Sequence, residues 1–135
     1  MKAENMDLRP VGRVHSPLKR REDCPSQGCE DAPGAEIEIF DDYLDCLDGL
    51  EAGREILILT WLHLSNRNLR KVHPRGNREA PLRGIFATRS PARPNPIGLH
   101  RVRLVEKKGG RLKVEPLEAL DGTPVIDIKP VLRER

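Results

Sequence analysis

Residues 97–117, IGLHRVRLVEKKGGRLKVEPL, carry the pattern that decides the fold. Two stretches in which apolar and polar residues alternate, 97–106 and 111–117, flank the polar residues 107–110, which include two glycines. An alternation of period two predicts a strand with one buried face, and a short glycine-containing segment between two such strands predicts a tight turn. The stretch is therefore predicted to be a β-hairpin.

Shorter stretches on the N-terminal side of the hairpin extend this pattern. Residues 35–40 alternate, and residues 55–63 form an apolar run that we expect to be a strand buried on both faces. Asp41 or Asp42 is expected to cap a short helix that ends at Gly49 or Gly53. Further strands are predicted at 11–15, 84–88 and 125–128, and loops at 19–33, 64–82 and 89–96.

The order of these elements excludes several fold classes. Strands and helices do not alternate, and no G-x-G-x-x-G sequence follows a strand, which argues against a Rossmann fold. The sequence predicts a mainly β protein, namely a small single-domain β-barrel or curled antiparallel sheet with one short helix. We expect a flexible N-terminal tail at residues 1–7, the domain at 8–130 and a C-terminal end at 131–135.

Composition narrows the class of protein further. A chain of 135 residues with 37% hydrophobic and 33% charged residues has the size of one domain with a modest core. Aromatic residues make up 3%, so any nucleic-acid binding is expected to depend on charge. The sequence has no membrane-length apolar run and no apolar N-terminal signal, and an odd number of cysteines fits a reducing compartment. We therefore expect a cytoplasmic protein that does not contact membranes.

Charge is segregated along the chain although the net charge is only +3. Residues 22–55, the acidic segment, contain twelve acids and one base, whereas residues 63–103, the basic segment, contain ten bases and one acid. Nine of these ten bases are arginine, whose planar guanidinium matches phosphate geometry. The basic segment is expected to bind phosphate groups. Alternatively, it is a solvated loop, or a surface that pairs with the acidic segment of the same or a second chain. The candidate RNA-binding residues are Arg67, Arg70, Lys71, Arg75, Arg78 and Arg83.

Residues 88–96, TRSPARPNP, form a second unusual stretch, which we call the proline corner. Its three prolines fix φ and remove backbone donors, so residues 89–96 cannot form regular structure. The same stretch carries Arg89, Ser90 and Asn95, and a stiff loop loses little entropy when it binds a ligand. The corner is either a ligand-binding loop or a connection between two strands.

Three other groups are candidates for chemistry. His63 follows the predicted buried strand and is either a structural histidine or a catalyst. Asp127 lies between two isoleucines in a predicted strand and faces away from both. Cys24 and Cys29 are spaced more loosely than is usual for zinc, so we expect no metal.

The long motifs resemble those of the TsaA-like family, also called the TrmO family of tRNA methyltransferases. The resemblance rests on GIFATRSPARPNPIGLHRVRL at residues 84–104 and LDGTPVIDIKP at 120–130. Residues 11–17 resemble the opening strand of the family, and residues 61–63 its central strand. The likeness covers about residues 8–130 and implies a small β-barrel that binds S-adenosylmethionine (SAM) near the interface of a homodimer.

The resemblance also implies the roles of individual residues. Arg89 is expected to pair with the methionine carboxylate of SAM, and backbone groups near residues 117–119 to contact its adenine. The general base is not assigned, with His63, Asp127 or a water as candidates. The expected SAM-binding residues are Pro25, Ser26, Gln27, His63, Leu64, Arg89, Ser90, Leu117, Glu118 and Ala119.

The implied reaction is methylation, from SAM, of N6-threonylcarbamoyladenosine at position 37 of tRNA. Three residues depart from the family pattern: Ser26 stands where an arginine is common, Glu118 where an aspartate is common, and Val131 where an aromatic residue is usual. Longer bacterial members continue into a second domain that is thought to help with tRNA, whereas this sequence ends at Arg135. The alternatives are a SAM-dependent methyltransferase with another small-molecule or RNA substrate, and a non-catalytic module that binds SAM or RNA.

Overall fold

The computed structural model describes residues 6–19 and 33–132. The predicted tail 1–7 and the predicted loop 19–33 lie mostly outside the described residues. Antiparallel pairing dominates the described part of the chain. Its strands are β1 (Gly12–His15), β2 (Ala35–Ile39), β3 (Glu55–Trp61), β4 (Lys71–Val72), β5 (Arg83–Gly84), β6 (Ile97–Lys108), β7 (Arg111–Glu115) and β8 (Pro124–Pro130).

Six of these strands close into a barrel in the order β1-β2-β7-β6-β3-β8. The predicted hairpin is confirmed as β6 and β7, which pair from Arg103 opposite Glu115 to Lys108 opposite Arg111. β1 and β8 close the barrel through two register pairs, Gly12 with Val125 and Arg13 with Pro124. The prediction of a mainly β barrel is therefore confirmed.

Inward-facing side chains of alternate residues fill the barrel. Ile37, Ile56, Ile58, Leu104 and Leu112 are fully buried and pack in one hydrophobic cluster. Burial of each such side chain stabilises the fold by about 2 kcal/mol. Because the interior is filled, as in other small barrels, a ligand can bind only outside it.

β3 corrects the expectation of a strand buried on both faces. Ile56, Ile58 and Thr60 point inward and are buried, whereas Leu57 and Leu59 on the outer face are half-buried. An antiparallel strand in a closed barrel packs one face on the core and leaves the other toward the surface, so full burial of both faces does not arise.

The predicted short helix is a 3-10 helix, Asp41–Leu47. Phe40 occupies the N-cap position without a side-chain hydrogen bond, so the predicted capping by Asp41 or Asp42 is wrong. The other end is held by Lys107, whose ammonium donates to the carbonyls of Leu47 and Leu50 at 2.8 and 3.0 Å. No helix among the described residues is long and apolar enough to cross a membrane.

The strand predicted at residues 84–88 is mostly a 3-10 helix, Ile85–Ala87. Its first residue belongs instead to β5, which pairs with β4 in a separate two-stranded sheet. Ile85 is 3% exposed, and burial of its side chain turns the chain away from the strand direction. The predicted loop at 64–82 accordingly contains β4 and a second 3-10 helix, Pro74–Gly76.

The close approach of β1 and β2 predicts a severe effect of a methyl group at Gly12. An added Cβ would lie 2.2 Å from the Glu38 carbonyl oxygen, which is backbone and cannot move away freely. Gly12→Ala should therefore lower the free energy of unfolding by about 3 kcal/mol. Gly84 has nothing within 4 Å of an added Cβ, so Gly84→Ala is the matched control. Equal urea midpoints for the two variants would contradict the prediction.

Candidate active-site cleft

A broad cleft of about 1800 Å³ lies at one end of the barrel. β3 ends there, and β6 and β8 begin there, because β3 is antiparallel to both. The small β4–β5 sheet and the proline corner form other walls of the cleft. Residues from five separate parts of the sequence, 62–65, 69–83, 86–93, 97–101 and 116–123, contribute to its lining.

Hydrogen bonds within the proline corner define its shape. The Thr88 hydroxyl donates to the Ile85 carbonyl at 2.9 Å and accepts the Ser90 amide at 3.3 Å. The Ser90 hydroxyl oxygen in turn accepts the Ala92 amide at 3.2 Å. Because this bond uses an oxygen lone pair, the hydroxyl proton of Ser90 remains available to a ligand.

Arg89 lies on the cleft wall and has an exposed side chain. It makes no ion pair with any residue of the described ranges, 6–19 and 33–132. A guanidinium without an internal partner can bind an anionic group of a ligand through two parallel hydrogen bonds. Arg89 and Ser90 therefore present adjacent donors to the cleft.

His100 is a residue of the cleft that the sequence reasoning missed. It lies on the inward face of β6, where its Nε2 is 2.8 Å from the hydroxyl oxygen of Thr60, a fully buried residue. Gly98 permits this pair, because a Cβ at that position would be 2.5 Å from the Thr60 hydroxyl oxygen and 2.8 Å from His100 Nε2. The alternation of β6, which places Gly98, His100 and Val102 on one face, was the available signal.

His100 is neutral at physiological pH. Burial, and secondarily the positive charge of Arg89, lower the pKa of this imidazole to about 4. The Thr60–His100 pair thus places an uncharged polar group between the apolar core and the cleft.

This lowered pKa predicts acid sensitivity. The unfolded chain takes up a proton at His100 near pH 6.5 and the folded chain only near pH 4, so stability is retained above pH 6.5 and falls as the pH decreases toward 4. At about 1.4 kcal/mol for each pH unit between the two pKa values, the loss is about 3 kcal/mol. His100→Gln should remove this part of the pH dependence, as measured by urea unfolding from pH 7 to 4. Identical slopes for the variant and the wild type would contradict it.

The structure brings several of the predicted SAM-binding residues together. His63, Leu64, Arg89, Ser90, Glu118 and Ala119 all line the cleft. Leu117 is fully buried in the core, and its amide donates to the Pro33 carbonyl at 3.0 Å. Pro25, Ser26 and Gln27 lie outside the described residues, as do Cys24 and Cys29.

Both ends of the segment that contains Pro25, Ser26 and Gln27 are attached to residues 117–121. On the N-terminal side, the Asp121 carboxylate accepts the Ser16 amide at 3.0 Å and pairs with Lys19, and the Asp121 amide donates to the Leu18 carbonyl at 2.8 Å. On the C-terminal side, the bond from Leu117 holds Pro33. The hydrogen bond from the Ser16 amide is the largest cause of a lowered pKa for Asp121.

The second catalytic candidate, Asp127, lies away from this cleft. It pairs in register with Leu59 and is not among the lining residues. Its carboxylate accepts the Ile128 amide at 2.9 Å and pairs with Lys129 at 3.1 Å. The structure therefore brings His63, but not Asp127, to the site.

The basic residues divide into two groups. Lys71, Arg78 and Arg83 line the cleft and, with Arg70 nearby in sequence, have exposed side chains. Arg67 instead stacks on Trp61 and hydrogen-bonds to the proline corner. Pairing with the acidic segment occurs at Arg101, which binds Glu55. Arg75 lies in the 3-10 helix Pro74–Gly76.

Comparison with known proteins assigns the fold to a class, the small β-barrel domains of TrmO-type proteins. The family model described as tRNA-methyltransferase O N-terminal domain matches residues 13–135. The chain belongs to this family.

Two similar proteins are named for their ligand. The probable S-adenosyl-L-methionine-binding protein of Methanothermobacter thermautotrophicus is 55% identical over 123 residues, which cover 91% of this chain and 88% of that protein. The S-adenosyl-L-methionine-binding protein of Archaeoglobus fulgidus is 49% identical over 124 residues, with 92% and 88% covered.

Solved structures show the same fold. A crystal structure of TrmO from Pseudomonas aeruginosa matches with a TM-score of 0.75 at 30% identity, covering 98% of this chain and 57% of that one. A further TrmO crystal structure matches with a TM-score of 0.77 at 32% identity, covering 95% and 58%. The chain thus spans a little over half of the length of these solved proteins.

Proposed function

We propose that the chain is a SAM-dependent methyltransferase that acts on tRNA, with N6 of threonylcarbamoyl-modified adenosine at position 37 as the acceptor. The observation that carries the proposal is that two pairs of residues from distant parts of the sequence, His63 with Leu64 and Arg89 with Ser90, line one cleft. The names of the relatives support the methyl donor, and membership of the family supports a tRNA acceptor.

The chemistry of the cleft fits SAM. The carboxylate of the methionine moiety requires a cationic donor, which Arg89 provides, and Ser90 adds a hydroxyl beside it. The adenine requires apolar contacts, and Leu64 and Leu99 line the cleft with 57% and 48% of their surface exposed. Glu118 and Ala119 also line the cleft, and backbone groups of this stretch are proposed to contact the adenine.

SAM, when bound, supplies a methyl group on a positively charged sulfonium sulfur, which leaves readily as a neutral thioether when the methyl group is transferred. The residues of this chain then have to orient the donor and the acceptor nitrogen, which lowers the barrier by removing the entropy cost of alignment. His100 is neutral and so adds no positive charge beside the ligand. His63 is the group that we propose to accept the proton of the acceptor nitrogen, because it lies in the cleft and Asp127 does not.

A homodimer is part of the proposal. Large apolar side chains that are 40–86% exposed surround the cleft, which is unusual for a surface that faces only water. A second copy that covers them would bury apolar area and shield the site. These side chains are Leu64, Leu69, Leu82, Phe86, Ile97 and Leu99. We place the dimer in the cytoplasm, and a monomeric mass in solution at micromolar concentration would contradict dimerisation.

Methyl transfer tests the proposed reaction. With SAM labelled at the methyl carbon, wild-type protein should label tRNA that carries the threonylcarbamoyl group and leave unmodified tRNA unlabelled. Arg89→Ala should weaken SAM binding about 10- to 100-fold in calorimetry, because a charge-assisted hydrogen bond contributes about 1.5–3 kcal/mol. Arg103→Ala is the control, since Arg103 is exposed on β6 outside the cleft lining.

Each negative outcome would reject a different part of the proposal. Binding of SAM without transfer to either tRNA would reject the tRNA acceptor and leave another substrate or a non-catalytic module. Failure of the wild type to bind SAM at hundreds of micromolar would reject the enzyme. Unchanged affinity in Arg89→Ala would reject the role of Arg89 alone.

The basic side chains of the cleft are proposed to bind tRNA phosphates, and salt dependence tests this role. Replacement of Lys71, Arg78 and Arg83 by glutamine should reduce the slope of log affinity against log salt by about 2, because each phosphate of single-stranded RNA that a cation neutralises adds about 0.7 to the slope. Arg9, Arg103 and Lys108, also exposed, form a control triple with the same change in charge. Equal slopes for the two triples would return the basic segment to an ordinary solvated surface.

A further inference from the structure

The proline corner has carbonyl groups that its own backbone cannot satisfy. Pro91, Pro94 and Pro96 have no amide proton, so the segment contributes three fewer backbone donors than an ordinary loop of its length. Buried or half-buried carbonyls without a partner destabilise a conformation. The Leu62 amide, from outside the corner, donates to the Pro96 carbonyl at 2.8 Å. Two arginine side chains donate to the Thr88, Ser90 and Pro94 carbonyls.

Arg93 holds the backbone of the proline corner on both sides of Arg89 by hydrogen bonds. Its Nη1 donates to the Thr88 carbonyl at 2.9 Å and to the Ser90 carbonyl at 3.0 Å. These two carbonyls lie on either side of Arg89 in the chain. One nitrogen therefore holds the peptide plane that precedes Arg89 and the one that follows Ser90, so it brackets the two residues that face the cleft. Arg93 does so from a half-buried position.

Arg67 attaches the other end of the corner to the barrel. Its Nε donates to the Pro94 carbonyl at 2.7 Å, and its Nη2 lies 3.5 Å from the side-chain oxygen of Asn95. The guanidinium carbon also lies 5.1 Å from the centre of the Trp61 ring, at the end of β3. A cation over a tryptophan face is attracted by the ring, so this contact adds to the attachment.

We propose that Arg67 and Arg93 are positioning residues that hold the proline corner so that Arg89 and Ser90 face the cleft. This inference rests on the proposed function in one respect, the role of Arg89 and Ser90 as ligands of SAM. The proposal gives a new role to Arg67, which the sequence predicts to contact RNA phosphates. Its guanidinium binds the protein's own carbonyl groups, in place of RNA.

Proteolysis of the ligand-free protein tests the proposal without SAM. Trypsin can cleave after Arg89 but not after Arg93, because Pro94 follows it, so substitution of Arg93 changes no other cleavage site. Cleavage between Arg89 and Ser90 should be at least about tenfold faster in Arg93→Ala and Arg67→Ala, because the corner opens more often. Cleavage after Lys108, at the far hairpin turn, normalises for global unfolding.

The conservative variant Arg93→Lys tests whether a single nitrogen is enough to hold the two carbonyls. Since one nitrogen of Arg93 makes both hydrogen bonds, the single ammonium of Arg93→Lys should restore most of the protection that Arg93→Ala loses. SAM affinity in calorimetry should follow the same order, with wild type and Arg93→Lys tighter than Arg93→Ala. Arg103→Ala serves as the control for loss of one exposed cation.

The RNA assay distinguishes a positioning residue from a phosphate contact. Arg67→Ala should weaken SAM binding and leave the salt slope of tRNA binding unchanged. A flattened salt slope with unchanged proteolysis and SAM affinity would overturn the proposal and make Arg67 a phosphate contact. If the wild type bound no SAM, the proposed function would fail, while the proteolysis result would still decide the positioning roles.

Discussion

Pairing between β1 and β8 closes the sheet, and the position of the site follows from this closure. Only two register pairs join these strands, with additional bonds from the Val11 amide to Val125 and from the Val14 amide to Thr123. A six-stranded barrel closed in this way has an interior just large enough for its own apolar side chains. Ligand binding is therefore confined to the end of the barrel, where connecting segments rise above the core.

At the boundary between the core and the cleft, polar side chains need hydrogen-bond partners within the protein. Thr60 and His100 satisfy each other there, and Gly98 leaves the space that their hydrogen bond requires. Arg89 stands nearby with its charge directed to the cleft, and its field helps to keep the imidazole neutral. The barrel end thus combines cationic side chains, of which Arg89 is one, with a neutral polar group, His100.

Much of the fold could be predicted from local pattern. The alternation around residues 97–117 identified the hairpin, and three prolines identified the irregular corner. The pattern could not show that Ile85 is buried at the start of a 3-10 helix, or that Phe40 occupies the N-cap position of another. Both depend on packing against residues that are distant in the sequence.

Dependence on residues that are distant in the sequence also explains why the roles of His100 and Arg67 could not be predicted. His100 sits among alternating residues of β6, and its significance comes from Thr60, forty residues earlier. Arg67 resembles its neighbours Arg70 and Arg83 in sequence, but its partners Trp61 and Pro94 make it part of the scaffold. The sequence shows the charge of each arginine, and only the fold shows its partners.

The double attachment of residues 117–121 has a consequence for how the family can diversify. Asp121 holds the chain at Leu18 and Lys19, and Leu117 holds it at Pro33, so the two roots of the intervening segment are set by one short stretch of the barrel. Members of the family can therefore differ in the residues between Lys19 and Pro33 without any change in where these two attachment points lie relative to residues 117–121.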